Sequence, residues 1–206
     1  MQYVKQQLTE FVSSNLTDIY NEWNPNTVYT VEMDNNALTN ASMVRYGTYY
    51  YRSVTENNKG FNPVEYENIK WVKHSVSNKF EMLDISANSK SVVENEDMFV
   101  VFPQNNMEVL GFGNYEANTI LVELLAEDMT TVVWSKETIS LINLNVYDYW
   151  DYIYEPYIAD SNHTVKMNIP ILGKFVRVTF RQNLFLNRSS CGYIIGGTPI
   201  KMGKAL

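Results

Sequence analysis

Cysteine is almost missing from this sequence, since Cys191 is the one cysteine among 206 residues. A lone cysteine excludes an intrachain disulfide and a cysteine-rich zinc site, and we expect Cys191 to be a small buried core residue. Histidine is nearly as rare. His74 and His163 lie far apart in the chain, and no serine or cysteine motif stands near either. The sequence therefore supports no catalytic triad.

Charge and long apolar runs are also scarce. Charged residues make up 19% of the chain, and 23 acidic against 16 basic residues give a net charge of −7. Because such a chain does not attract phosphate backbones or anionic membranes, we expect neither nucleic acid nor a membrane as partner. The opening MQYVKQQLTEF is too polar for a secretory signal, and no apolar run approaches the about 18 residues of a membrane span. We expect a soluble product made in a cytoplasm.

Catalytic and phosphate-binding motifs are missing as well. The chain has no G-x-S-x-G motif, and its glycine-rich stretches, at residues 111–113 and at Gly196-Gly197, lack the lysine or helix start of a phosphate-binding loop. We interpret both stretches as turns between strands. The sequence therefore predicts no enzyme activity and no cofactor.

Apolar and aromatic residues are plentiful. Hydrophobic residues make up 45% of the chain and aromatic residues 14%, with 15 tyrosines, and asparagine is abundant throughout. Tyrosine and threonine favour strands, whereas asparagine favours turns. This composition predicts a mainly β protein with surfaces suited to sugars or to other proteins.

The N-terminal 22 residues carry the clearest helical pattern. Apolar residues recur there at steps of three to five positions, and the pattern stops at Asn24-Pro25, where a helix cannot easily continue. The pattern predicts an amphipathic helix over residues 1–22, which either packs on the following β module or docks on a neighbouring subunit. The residues of the stripe are Val4, Leu8, Phe11, Leu16, Ile19, Tyr20 and Trp23.

Two β regions follow. Residues 23–76 alternate short aromatic strands with polar turns, and Tyr46-Gly47 predicts a hairpin turn between two of them. Residues 77–206 carry apolar runs separated by turn signals, among them MFVVFP, TILVELLAED, KFVRVTF and GYIIGG. Six or more short strands predict an antiparallel, jelly-roll-like β-sandwich, in which TILVELLA is a central strand.

The first β region contains a set of aromatic, valine, asparagine, glycine and proline residues in a characteristic order and approximate spacing. The set comprises Trp23, Tyr29, Val44, Tyr46-Gly47, Tyr50, Asn58, Gly60, Pro63 and Trp71-Val72. It resembles the small chitin-binding-type carbohydrate-binding modules, with their V-x-Y-x-G pattern, N-x-G-x-x-P loop and final tryptophan. The resemblance implies a small three-stranded module over residues 23–76.

A second resemblance covers the rest of the chain. The runs NKFEMLD, YDYWDYIYEPY, NIPILGKFVRVTF and CGYIIGG, in that order, resemble a family of tailed-bacteriophage virion proteins in which a carbohydrate-module-like segment precedes a β-sandwich. This resemblance implies a non-enzymatic structural component of the virion, a tail or neck ring, adaptor or tail-attached protein made in the bacterial host. Its implied partners are copies of itself and other tail, neck or portal-proximal proteins.

The alternative function is that of a receptor-binding protein holding host-surface glycans. Sugar recognition needs exposed aromatic faces with polar side chains at the rim. The residues suited to this are Tyr49, Tyr51, Phe61, Asn57 and Asn58. The same aromatics can instead build the small core, to which we assign Trp23, Tyr50 and Trp71 outright. Because EMDNNALTNAS is longer than the corresponding segment of these modules, we expect protein neighbours as the main partners.

Asp148, Asp151 and Glu155 form an acidic group in an aromatic setting. Such carboxylates occur in glycosidases and in calcium sites. The simpler interpretation is that these acidic residues lie on an edge strand or a loop, in a segment that ends at Pro156. Within the virion family, this stretch is expected to shape a turn or a subunit contact. We therefore predict no catalytic and no metal-binding residue.

Overall fold

The computed structural model describes residues 2–6, 11–31, 41–84, 89–138 and 165–201. In these residues the protein is mainly β with antiparallel sheets, and its only helical segment is a 3-10 turn at Glu81–Leu83. No helix in the described residues is long and apolar enough to cross a membrane. The chain divides into two compact units, a small one of Thr17–Glu81 and a large one of Met1–Leu16 with Met82–Leu206.

The strands are numbered along the chain. They are β1 Gln2–Gln6, β2 Ser13–Ser14, β3 Met43–Tyr46, β4 Tyr49–Ser53, β5 Trp71–Val76, β6 Ser91–Glu94, β7 Met98–Pro103, β8 Val109–Glu116, β9 Ile120–Leu125, β10 Val132–Glu137, β11 Val165–Asn168, β12 Phe175–Phe180 and β13 Arg188–Lys201.

The large unit contains two five-stranded antiparallel sheets. In the first sheet β13 pairs with β6 near its start, with β1 near its end and with β8 along its middle, and β8 also pairs with β11. The second sheet has the order β10-β9-β12-β7-β2. The predicted central strand, β9, indeed lies between β10 and β12. The two glycine stretches predicted to be turns lie inside strands instead, residues 111–113 in β8 and Gly196-Gly197 in β13.

One apolar core joins the two sheets. Leu110 and Phe112 from the first sheet and Phe102, Val122 and Phe180 from the second belong to the same fully buried cluster. Burying a side chain of this size stabilises the fold by roughly 1.5–3 kcal/mol. Two antiparallel sheets packed on a shared core form a β-sandwich.

The small unit is built on the three-stranded sheet β3-β4-β5. The hairpin predicted at Tyr46-Gly47 is present, because Tyr46 pairs with Tyr49 across a two-residue turn. Gly47 has a φ of 60°, which glycine adopts without steric cost at the first central position of such a turn. The core of this unit consists of Tyr29, Val44, Tyr51 and Trp71.

The prediction of an N-terminal helix is wrong. Residues 2–6 form β1, which pairs antiparallel with the end of β13, and the backbone N–H of Val12 donates to the carbonyl of Val101 on β7 at 2.8 Å. Pairing with distant strands satisfies the backbone hydrogen bonds here, and such tertiary pairing overrides a weak local helical preference. Leu16, a member of the supposed stripe, is buried in the sandwich core.

Candidate functional site

Two of the predicted glycan-contacting side chains are buried. Tyr51 is 3% exposed and packs in the small core, where burial raises the pKa of its phenol. Asn58 is 1% exposed, and its side-chain amide donates to Ser53 Oγ and to the carbonyl of Lys70, both at 3.1 Å. Neither side chain presents a ring face or an amide to a ligand, so we assign both to the framework of the small unit.

Tyr49 is half-buried, and a cation occupies one face of its ring. Lys73 Nζ lies 3.3 Å from the ring centroid, from the neighbouring strand β5. An ammonium at this distance makes a cation–π contact. A sugar that stacks on this face of Tyr49 must first displace Lys73.

Phe61 belongs to a small aromatic group at the surface. Its ring meets Tyr66 edge to face, with 4.8 Å between centroids, and Lys70 Nζ lies 5.0 Å from the Phe61 centroid. Trp71 Nε1 donates to the Phe61 carbonyl at 2.8 Å, which ties this loop to the core. Phe61 is half-buried and Tyr66 is exposed.

Asn57 is the remaining glycan candidate. Its side chain is exposed, and its backbone has a φ of 54°, a left-handed conformation that asparagine tolerates better than most residues. Asn57, Phe61 and Tyr49 are thus the predicted positions that stay at least partly accessible.

The residues assigned to the core of the small unit differ in burial. Trp71 is fully buried, whereas Trp23 is half-buried and meets Tyr46 edge to face at 5.7 Å. The indole N–H of Trp23 is buried and makes no hydrogen bond within the described part of the chain.

Tyr50 is buried, and its hydroxyl makes hydrogen bonds near both ends of the small unit. Its hydroxyl accepts the backbone N–H groups of Ile19 at 3.0 Å and Asn78 at 3.3 Å, and it donates to Asp18 Oδ1 at 3.0 Å. Burial is the main cause that raises the pKa of Tyr50 to about 12. Asp18 also pairs with Arg45 at 2.9 Å, so Tyr50 is a structural residue within a polar network.

An exposed apolar loop in the large unit was missed by the sequence analysis. Leu184, Phe185 and Leu186 lie between β12 and β13 and are 74%, 61% and 38% exposed. We call residues 184–186 the apolar tip. The sequence signal that marks it is an apolar triplet between two asparagines, Asn183 and Asn187.

A buried side chain holds the apolar tip in place. Asn183 is fully buried, and its Oδ1 accepts the backbone N–H groups of Phe185 at 3.0 Å and Leu186 at 3.1 Å. The backbone N–H of Asn183 donates to the carbonyl of Arg188 at 2.9 Å, which closes the loop. The tip is therefore an ordered turn in which the side chain of Asn183 replaces a backbone acceptor.

The base of the apolar tip is fixed by further hydrogen bonds. Gln182 Nε2 donates to Asn187 Oδ1 at 2.7 Å, and the backbone N–H of Asn95 donates to the carbonyl of Asn187 at 2.8 Å. Asp97 accepts the backbone N–H of Gln182 at 2.7 Å and pairs with Arg181 at 2.8 Å. These contacts connect the loop to the turn that precedes β7.

The remaining candidates are the acidic group, His163 and Cys191. Asp148, Asp151, Glu155 and His163 lie outside the described residues. Within the residues that the structure does describe, no three histidine, cysteine, aspartate or glutamate side chains are grouped to hold a metal ion. Cys191 is fully buried, as expected, and burial raises the pKa of its thiol to about 12.

Comparisons with known proteins identify no family. No family model matches the chain, and no curated protein matches it. The lectin domain of lectinolysin, in two structures with the Lewis b antigen, matches at TM-scores of 0.40 and 0.39 with 11% identity. Those matches cover 59% and 57% of this chain and 83% and 82% of the lectin chains.

A third solved structure is the C-terminal domain of a chitobiase from Bacteroides fragilis. It matches at a TM-score of 0.37 with 4% identity, over 61% of this chain and 83% of that one. Similarity at this level identifies neither a family nor a ligand for this chain.

Proposed function

We propose that this chain is a non-enzymatic structural component of a tailed-phage particle, a tail or neck protein that assembles through protein–protein contacts. The observation that carries the assembly role is the apolar tip, with Leu184 and Phe185 more than half exposed on an ordered loop. The place in a phage particle rests on the sequence resemblance of residues 78–197 to tailed-phage virion proteins.

The strand order supports a jelly-roll fold as the frame of this assembly role. The eight strands β6 to β13 divide into β6-β13-β8-β11 and β7-β12-β9-β10. This division is typical of the double-sheet jelly roll, which occurs in viral capsid proteins and in lectins. Because one fold hosts many functions, the loops at the ends of the sandwich decide what it binds.

The energetics of the apolar tip favour a protein partner. Each large apolar side chain removed from water contributes roughly 1.5–3 kcal/mol to binding when it is fully buried. Binding also costs the ordering of loops and side chains, and a loop that is already ordered reduces this cost. The hydrogen bonds from the backbone of the tip to Asn183 supply that order in advance.

The proposal is tested on purified particles of the phage that encodes the chain. Mass spectrometry should find the chain among the virion proteins, and phage carrying Leu184→Asp should yield fewer mature particles than phage carrying Val12→Asp. Val12 is a suitable control because it is exposed, belongs to the large unit and is not part of the apolar tip. A particle proteome without the chain would contradict the proposal.

Glycan binding is a second candidate function. The observation that favours it is the surface group of Phe61 and Tyr66, whose rings meet at 4.8 Å beside Lys70. Many copies on one particle would strengthen a weak sugar contact. A glycan array probed with a multivalent form of the protein tests this function, with Phe61→Ala as the variant expected to lose binding. An array without any signal would eliminate this candidate.

A further inference from the structure

The exposed large apolar side chains of the sandwich are concentrated at two places. The first is the apolar tip. The second comprises Val132, Val133, Ile171 and Leu172, which are between 43% and 54% exposed, and we call these residues the apolar patch. Apart from these two groups, Val12 is the one exposed large apolar side chain that the described residues of the large unit contain.

The two segments of the apolar patch lie side by side. Gly173 follows Ile171 and Leu172 with a φ of 71°, and a Cβ at this position would lie 3.2 Å from Val133 Cγ2. That Cβ would also lie 2.5 Å from the Leu125 carbonyl oxygen, so the loop packs closely against β9 and β10. The next residue anchors the loop to the sheet, because the backbone N–H of Lys174 donates to the Leu125 carbonyl at 2.8 Å.

The apolar tip and the apolar patch lie at opposite ends of the sandwich. Strand β12 begins at Phe175, which pairs with Leu125 beside the patch, and it ends at Phe180, which pairs with Met98 and Ile120. The tip follows directly after this second end. Five residue steps of about 3.3 Å separate the two ends of β12 by roughly 17 Å.

A cavity of about 340 Å³ lies at the same end as the patch. Its lining includes Val109, Ile169 and Pro199, with Glu108 and Lys166 beside them. The backbone N–H of Ile169 donates to the Glu108 carbonyl at 2.9 Å, and the chain reaches the patch two residues after Ile169. This end thus combines an exposed apolar surface with a recess, whereas the other end carries an exposed apolar loop.

We infer that the apolar tip of one copy of this chain docks on the apolar patch of a second copy, in a head-to-tail contact. This inference rests on the proposed assembly function and names the partner. A two-fold contact between like ends would cover one apolar surface and leave the other in water. A head-to-tail contact covers both with a single kind of interface, and it closes into a ring or continues as a filament.

The experiment uses the full-length chain, one variant at each end and a matched control. Leu184→Asp places a charge on the tip, Leu172→Asp places one on the patch, and Val12→Asp places one elsewhere. Native mass spectrometry and sedimentation velocity should show oligomers for the parent chain and for Val12→Asp. Because a buried unpaired carboxylate is unfavourable, self-association of either end variant should weaken by at least about tenfold.

Mixing the two end variants separates head-to-tail from two-fold association. The Leu172→Asp chain retains an intact tip, and the Leu184→Asp chain retains an intact patch. The equimolar mixture should therefore form a one-to-one dimer that grows no further. A two-fold contact between tips would instead let the Leu172→Asp chain dimerise alone, and this result would overturn the inference.

Two other results would also overturn the inference, and they leave the proposed function standing. The parent chain could be strictly monomeric at high concentration while the particle proteome contains it, in which case its neighbours are other proteins. Alternatively, oligomers could persist in both end variants, which would place the contact elsewhere on the chain. Circular dichroism of each variant confirms that the sandwich is folded in every comparison.

Discussion

Asn183 Oδ1 accepts the backbone N–H of Phe185 at 3.0 Å, so a fully buried amide fixes a highly exposed aromatic residue. The same oxygen accepts the N–H of Leu186, so one side chain satisfies two backbone donors of the loop. Exposed apolar side chains grouped on one ordered loop are typical of a surface that binds a partner.

Replacing Asn183 with alanine is expected to destabilise the large unit by about 1–3 kcal/mol, because two backbone donors of the tip lose their acceptor. The loop should also exchange its amide hydrogens faster. Urea unfolding and hydrogen exchange measure the two effects. Asn26→Ala is the control, since Asn26 is exposed and its replacement should change the stability little. Equal stability of the two variants would contradict this role of Asn183.

Glu116 gives the large unit a predictable dependence on acid. Burial acts to raise the pKa of Glu116, but hydrogen bonds from Arg188, Lys90 and Ser190 outweigh it and hold the pKa below its usual value of 4.5. A carboxyl group whose pKa is lower in the folded state stabilises the fold at pH values above its unfolded-state pKa. This stabilisation is lost as the pH falls through the folded-state pKa.

The matching variant is Glu116→Gln. Above pH 4.5 it should be less stable than the parent chain by about 1–3 kcal/mol, because hydrogen bonds to a charged group are lost. The difference should shrink as the pH is lowered further. Thermal unfolding between pH 7 and pH 3 measures it, and a difference that stays constant with pH would disprove this account of Glu116.

Tyr50→Phe tests the polar network of the small unit. Removing the hydroxyl leaves the backbone N–H groups of Ile19 and Asn78 without their acceptor, at a cost of about 1–3 kcal/mol in the free energy of unfolding. Tyr49→Phe is the control, because it keeps the ring that contacts Lys73. Chemical unfolding should show a loss for Tyr50→Phe alone, and a similar loss in both variants would count against the network.

Much of the β architecture could be predicted from local patterns. The central strand β9 has an apolar residue at almost every position, and the Gly47 turn carries its own backbone signature. The helix prediction failed because the partner of β1, the end of β13, lies almost 200 residues away in the sequence. A local sequence pattern carries no information about a pairing between such distant segments.

The candidate site was harder to predict than the fold. Alternation along β4 does place Tyr49 and Tyr51 on one face, but this face packs in the small core, with Tyr51 inside it and Tyr49 against it. Tyr50 and Tyr51 are both buried, one in the polar network and the other in the small core. The apolar tip carried a local signal, whereas the patch arises only when Gly173 brings its loop against Val133.

Self-association should respond to salt in a specific way. The chain carries a net charge of −7, so its copies repel one another at low ionic strength. Salt screens this repulsion and leaves apolar contacts intact. Sedimentation between about 20 mM and 500 mM salt should show stronger association at the higher concentration. Dissociation by salt would indicate an interface made of ion pairs and would contradict contact through the apolar tip.

The most direct test of the assembly role is an electron-microscopy reconstruction of the phage particle. We expect density for repeated copies of this chain in the tail or neck, with the apolar tip of each copy buried against a neighbour. Leu184 and Phe185 should lie within contact distance of another protein chain. A reconstruction in which the chain is missing, or in which the tip of every copy faces solvent, would contradict the assembly role.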